Sequence, residues 1–252
     1  MALYLIGLGL STEKDVSLKG LELIKKCDLV YLENYTSLLQ CSVKELEKLY
    51  GKKIILADRQ ITEQGEEKIL QEAKSKEVAF LVIGDPMSAT THIELFKSAR
   101  ERKIPTKIIH NASILTAIGI TGLQLYKFGK TTSIPFLEEQ PQLETPYLVY
   151  KDNKKMGLHT LMLLDLRPEK DKFMTVNQAL SVLEDIERRK KGKLIGPKLK
   201  VVGCARLGSD DFLVKYGTIE ELKRFDFGKP PHCLIVPGKL HFAEEEMLEL
   251  WK

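Results

Sequence analysis

Long apolar runs are missing from this chain. No stretch approaches the roughly 20 residues needed to cross a bilayer, and the first residues carry neither a basic region nor a small-residue cleavage site, so a cytoplasmic protein without a membrane segment is expected. Cysteine is scarce as well. Cys27, Cys41, Cys204 and Cys233 are far apart with no C-x-x-C pair, which leaves neither zinc spacing nor a disulfide framework and points to reduced thiols. His92, His110, His159, His232 and His241 show no i,i+4 pairing and no carboxylate at ligand spacing, so no metal is expected. An excess of one charge is also absent: 39 basic and 35 acidic side chains leave a net charge of +4. That is too little for a dedicated nucleic-acid binder, whose affinity comes from neutralising phosphates.

Two motifs are incomplete. Gly7-Leu8-Gly9 follows an apolar strand as in dinucleotide folds, but Thr12 stands where G-x-G-x-x-G needs its third glycine. Gly129-Lys130-Thr131 ends like a phosphate-binding loop, yet Gln124 replaces the leading glycine, leaving a strand entry. Asn34-Tyr35-Thr36 and Asn111-Ala112-Ser113 match the glycosylation sequon, which has no use in a chain that is not secreted.

What the chain does have is alternation. Its 252 residues suffice for one large or two modest domains. Strands are expected at 3–7, 29–32, 53–56, 78–83 and 107–109, with helices at 17–27, 43–50, 66–75 and 92–102 between them, which implies crossovers and a mostly parallel sheet. From residue 113 the order changes: a short helix at 113–121, then strands at 131–134, 160–164, 199–205, 212–216 and 234–236 with helices among them, a second α/β lobe with a mixed sheet. The expected lobes are 1–112 and 113–252. Ser42 with Glu45, Thr175 with Gln178 and Thr218 with Glu221 are capping boxes that mark helix starts. Arg188, Arg189, Lys190, Lys191 and Lys193 sit at a helix end, where cations complement the dipole. They are read as a solvated end or a docking surface.

The most informative segment is Gly84-Asp85-Pro86-Met87-Ser88-Ala89-Thr90-Thr91-His92, which breaks off the apolar run Val78–Ile83. Ligands of parallel sheets bind beyond the carboxyl ends of their strands, so this loop is a site candidate. With Ile6–Leu10, Tyr35–Ser37, Asn111–Ile114, Gly119–Tyr126, Gly157–Leu161, Ala205–Ser209 and Pro230–Gly238, it resembles the diphthine synthases, a branch of the tetrapyrrole methyltransferase-like family, from end to end.

The resemblance implies two α/β lobes of the tetrapyrrole methylase type with an S-adenosylmethionine cleft between them, and a homodimer. It implies cofactor contacts at Leu10, Asp85, Ser88, Ser113, Ile114, Leu164, Leu207 and His232, most of them main-chain contacts that tolerate apolar side chains. Asp85 is expected to orient cofactor hydroxyl or amino groups, or else to form the turn before Pro86. The implied substrate is elongation factor 2 carrying an aminocarboxypropyl group on a histidine. Ala57-Asp58-Arg59, Met174–Ala179 and Gly208–Asp211 look like eukaryotic members, implying four transfers that end in diphthine methyl ester, although Met87-Ser88 departs from the family wording. The alternatives are a three-methyl synthase, a small-molecule methyltransferase of the tetrapyrrole type, and a non-catalytic module that docks on a translation factor through the basic cluster. No residue stands out as a general base.

Overall fold

A computed structural model describes residues 1–35, 37–57, 66–88, 91–138 and 140–252, so Thr36, Asp58, Arg59, Ala89 and Thr90 of the motifs above lie outside the described residues. The chain forms two compact units, Met1–Ala117 and Ile118–Lys252. Their boundary falls after the short helix Ile114–Ala117, whereas the sequence reading divides the chain before it.

In the first unit β1 (Ala2–Gly7), β2 (Leu29–Glu33), β3 (Ile55–Ala57), β4 (Glu77–Val82) and β5 (Thr106–Ile109) form one sheet. Its order is β3-β2-β4-β1-β5 and every neighbouring pair is parallel. Parallel neighbours need crossover connections, in which the helices Leu18–Lys26, Val43–Tyr50, Glu66–Ala73 and Thr91–Glu101 take part. Side chains alternate along each strand. Leu3 and Leu5 therefore join one core with Ile69, Leu70, Phe80 and Leu95, while Ile6 joins another with Ile24, Leu46, Tyr50 and Leu81. Cores on both faces explain why β4 reads as an apolar run rather than an alternating one. Each fully buried Leu or Phe contributes about 1.5–3 kcal/mol of transfer free energy.

Local signals set the boundaries. Ser42 and Glu45 make the expected capping box, and the Ser17 hydroxyl accepts the Gly20 N–H at 3.1 Å. The strand expected at 53–56 begins later, because Lys53 pairs with Glu47 and the Ile54 N–H donates to the same carboxylate, tying these residues to the preceding helix.

The second unit carries β6 (Thr132–Ile134), β7 (Thr160–Leu164), β10 (Lys200–Ala205), β11 (Leu213–Thr218) and β12 (His232–Val236) in the order β11-β10-β12-β7-β6. Only β6 and β7 pair in parallel, so the sheet is mixed, as expected. A small hairpin of β8 (Leu166–Arg167) and β9 (Lys172–Phe173) has no counterpart in the sequence reading; strands of two residues leave no periodicity to read. The helix Val176–Lys190 opens on the Thr175–Gln178 capping box and buries Val176, Ala179, Leu180, Leu183 and Ile186, an i, i+3, i+4 stripe.

Cys204 and Cys233 stand directly opposite each other on β10 and β12, yet all four cysteines are free thiols. The contact with Cys233 and burial both push the Cys204 thiol well up, keeping it protonated. Among the described residues no helix is long and apolar enough to cross a membrane, and no three His, Cys, Asp or Glu side chains are grouped to hold a metal.

Candidate functional site

In the first unit three adjacent strands, β4, β1 and β5, end on the same edge of the sheet, and the chain segments leaving them are bound to one another. The Gly84 N–H donates to the Gly9 carbonyl at 2.7 Å, forming an antiparallel bridge beyond the sheet. Such close passage excludes side chains. A Cβ on Gly7 would lie 2.6 Å from the Gly84 oxygen and 2.8 Å from Asn111 Cβ. Gly84 itself has φ +87°, which favours glycine. Among the described residues its own Cβ position is open, with the Ala112 oxygen at 3.9 Å and Leu10 Cδ2 at 4.0 Å, so Gly84, Leu10 and Ala112 border a notch.

Asp85 stands beside that notch with its carboxylate mostly engaged. Oδ1 accepts the Met87 N–H at 2.8 Å, and Oδ2 accepts the Asn111 N–H at 3.0 Å and lies 2.8 Å from His110 Nδ1. Partial burial raises its pKa, but the Asn111 and Met87 N–H groups and the His110 ring outweigh that and hold the carboxyl below its ordinary value. A carboxylate has about four acceptor sites. Among the described residues three are used, so Asp85 forms the turn and ties the loop while keeping room for one further donor.

Asn111 completes the arrangement. Its Nδ2 donates to the Gly7 and Asp15 carbonyls, both at 3.0 Å, and its Oδ1 accepts the Ala112 N–H at 2.7 Å. The sequence alone assigns Asn111 no role, because these two carbonyls lie about a hundred positions away. Ser88, exposed, donates its N–H to the Asp85 carbonyl at 3.1 Å. Ser113 is buried and its hydroxyl accepts the Leu115 N–H at 3.2 Å, opening the turn of helix that begins at Ile114. Leu10, Asp85, Ser88, Ser113 and Ile114 therefore share one edge of the first sheet.

The second unit collects the other three candidates. Register places Ala205 opposite His232, and Cys233 opposite Leu163, so Leu164, His232 and the Arg206-Leu207 step share one end of that sheet. Arg206, itself at φ +51°, clamps this end. Its guanidinium donates to the Phe227 and Lys229 carbonyls at 3.0 and 2.6 Å and to the Asp211 carboxylate at 2.9 Å. His232 has both ring nitrogens engaged: Nδ1 accepts the Val176 N–H at 3.3 Å, and Nε2 faces the Lys229 carbonyl at 3.0 Å. Burial pushes its pKa down, and the ring links the start of the Val176–Lys190 helix to the 228–229 turn.

Two other histidines are buried. His159 accepts the Gly238 N–H at Nδ1 (2.9 Å) and faces Glu244 Oε1 at 2.9 Å through Nε2. Glu244, fully buried, also meets Lys127 and the N–H groups of Gln124 and His241. Burial alone would raise the Glu244 pKa, but these donors hold it down at about 2. This network ties together residues 124–127, the start of β7 and the C-terminal helix Phe242–Glu249. His92 bonds the Pro86 carbonyl at 3.2 Å and lies 4.0 Å from the buried Glu33 carboxylate, beneath the Gly84–Ser88 loop. The basic cluster is largely anchored: Arg189 donates to the Leu143 carbonyl at 3.0 Å, Lys190 pairs with Glu144, and Arg188 lies 3.2 Å from Asp185.

The profile of the Tetrapyrrole (Corrin/Porphyrin) Methylases matches residues 2–223. Diphthine methyl ester synthase of Dictyostelium discoideum is 45% identical, over 100% of this chain and 98% of that protein. Diphthine synthase of Methanocaldococcus jannaschii is 49% identical, over 98% of this chain and 97% of that protein. A crystal structure of diphthine synthase superposes with a TM-score of 0.91 at 40% identity, covering 100% of this chain and 96% of that one.

Proposed function

The chain belongs to the diphthine synthase branch of the tetrapyrrole methylases, S-adenosylmethionine-dependent methyltransferases of diphthamide biosynthesis, and from that premise we propose that it methylates the aminocarboxypropyl-histidine of elongation factor 2. The observation that carries this reading is the end-to-end match to proteins named for that reaction. The proposed product is diphthine methyl ester, formed by four transfers. Archaeal relatives named diphthine synthase match as well as the methyl ester synthase does, so overall identity does not choose between three transfers and four. The choice rests on the eukaryotic-like segments 57–59, 174–179 and 208–211; the last holds Ser209 and Asp211, which bond one another at 2.8 Å under the Arg206 clamp. A cytoplasmic homodimer is part of the same proposal.

The residues proposed to hold S-adenosylmethionine are Leu10, Asp85, Ser88, Ser113 and Ile114 in the first unit, and Leu164, Leu207 and His232 in the second. The notch at Gly84 supports this fit, since it pairs apolar surface from Leu10 with main-chain polar groups and one open acceptor site on Asp85. When bound, the group supplies a methyl carbon made electrophilic by its sulfonium sulfur. The chain's task is then to place a nucleophile in line and to exclude water. Positioning of this kind can lower a barrier by about 7–11 kcal/mol. No covalent intermediate with the protein is required. An amine attacks only through its lone pair, and α-amino groups titrate near ~8, so a minority is reactive at neutral pH. A carboxylate is already ionised and needs no deprotonation.

The test is direct: the protein is incubated with methyl-labelled S-adenosylmethionine and elongation factor 2 carrying the aminocarboxypropyl group. Label in the elongation factor supports the proposal. Label in a porphyrin-like ring alone, or binding of the factor with no transfer, refutes it.

A further inference from the structure

We propose that His110 is the catalytic residue that accepts the proton from the substrate's amino nitrogen, with Asp85 fixing its ring; this rests on the reading of the chain as an amine methyltransferase. His110 is the first residue beyond β5, on the edge of the sheet that carries the Gly84 notch. Its side chain is 68% exposed, and its Nδ1 lies 2.8 Å from Asp85 Oδ2. Asp85 cannot turn away, because the Met87 and Asn111 N–H groups grip the same carboxylate.

These contacts decide where the ring proton sits. An ionised carboxylate only accepts, so Nδ1 carries the hydrogen and the lone pair is left on Nε2. Among the described residues no group bonds that nitrogen. No other histidine of the chain is so placed. His159 and His232 use both ring nitrogens, His92 is buried, and the His241 ring caps the helix Phe242–Glu249 through Nδ1. Asp85 is the titratable group within hydrogen-bonding reach of His110 among the described residues; Asp15, whose carbonyl Asn111 holds, has its carboxylate turned onto the Ser11 and Thr12 N–H groups at 2.7 and 3.3 Å.

The chemistry balances. The substrate ammonium gives one proton to Nε2, and its freed lone pair forms the N–C bond as the C–S bond breaks and its electrons return to sulfur, leaving a neutral thioether. The imidazolium then releases its proton to water. Each of the first three transfers sheds one proton in this way, the third giving a quaternary nitrogen. Methylation of the carboxylate sheds none. A base on the enzyme therefore matters for three transfers and not for the fourth.

That asymmetry supplies the test. With elongation factor 2 as substrate, His110→Gln should slow the first three transfers on the order of 10²-fold, the usual scale of general-base catalysis. On a factor already carrying three methyls, the same variant should lose far less. The pH–rate profile of the amine steps should move to higher pH, and added imidazole should restore His110→Ala. Independently of turnover, nitrogen NMR of the parent protein should show His110 with its proton on Nδ1. Equal loss in all four transfers, undiminished amine methylation, or a proton resident on Nε2 would overturn the proposal. A parent enzyme that transfers no methyl to the factor would instead bring down the functional reading on which it rests.

Discussion

Replacing Asn111 by Ala should loosen the candidate site more than any exposed substitution nearby. The side chain makes three hydrogen bonds, to the Gly7 and Asp15 carbonyls and from the Ala112 N–H, and so joins the ends of β1 and β5 to the loop that follows β1. At a net value of about 0.5–1.5 kcal/mol per bond the three come to about 1.5–4.5 kcal/mol. Asn111→Asp keeps the shape but points an acceptor at two carbonyls 3.0 Å away, so it should cost at least as much. Differential scanning calorimetry reads the stability: at about 2–4 °C per kcal/mol, Tm falls by roughly 3–18 °C. Titration with S-adenosylmethionine reads the site, and affinity should fall with stability because the Gly84 notch is built on the same loops. An unchanged Tm together with unchanged affinity would refute the reasoning that Asn111 is the tie.

Asp85→Ala should weaken S-adenosylmethionine binding by about 1.5–3 kcal/mol in calorimetry, since a charged acceptor and the anchor of Met87 and Asn111 go together; undiminished affinity counts against the site. Glu244 has its pKa depressed to about 2. It contributes stability that is fully present above its unfolded value, near ~4.3, and is lost as pH falls from there toward 2. Chemical denaturation at stepped pH should show the gap between the parent and Glu244→Gln closing across that window, and a pH-independent gap would contradict the network. Arg188→Glu should slow modification of elongation factor 2 and alter its salt dependence without changing S-adenosylmethionine affinity, because exposed charge acts mainly on encounter; no change in either leaves the cluster a solvated helix end. Reversing Arg189 or Lys190 is a poorer probe, since both are anchored to residues 143–144.

The elements legible in the sequence were those set by local chemistry. All three capping boxes form as spaced, at Ser42, Thr175 and Thr218, because the bonds involved span only three residues. The apolar run of β4 announced a strand covered on both faces, and Gly84 announced the turn after it. The box at His241–Glu244 carries no such signal, because histidine is not among the usual N-cap residues. What the sequence could not display were ties across long separations. Asn111 meets Gly7, His159 meets Glu244 and Asp85 meets His110, and no periodicity connects any of these pairs. The Gly84–Ser88 segment was legible as a loop, but that Asp85 also ties it to His110 and Asn111 is visible only in the folded chain.

Mass analysis of the elongation factor 2 peptide after incubation with the protein and S-adenosylmethionine tests the central claim most directly. Four added methyl groups are expected on the modified histidine, one of which mild alkali removes as an ester. A peptide that gains no methyl contradicts the assignment outright, and one that stops at three alkali-stable methyls contradicts the methyl ester product.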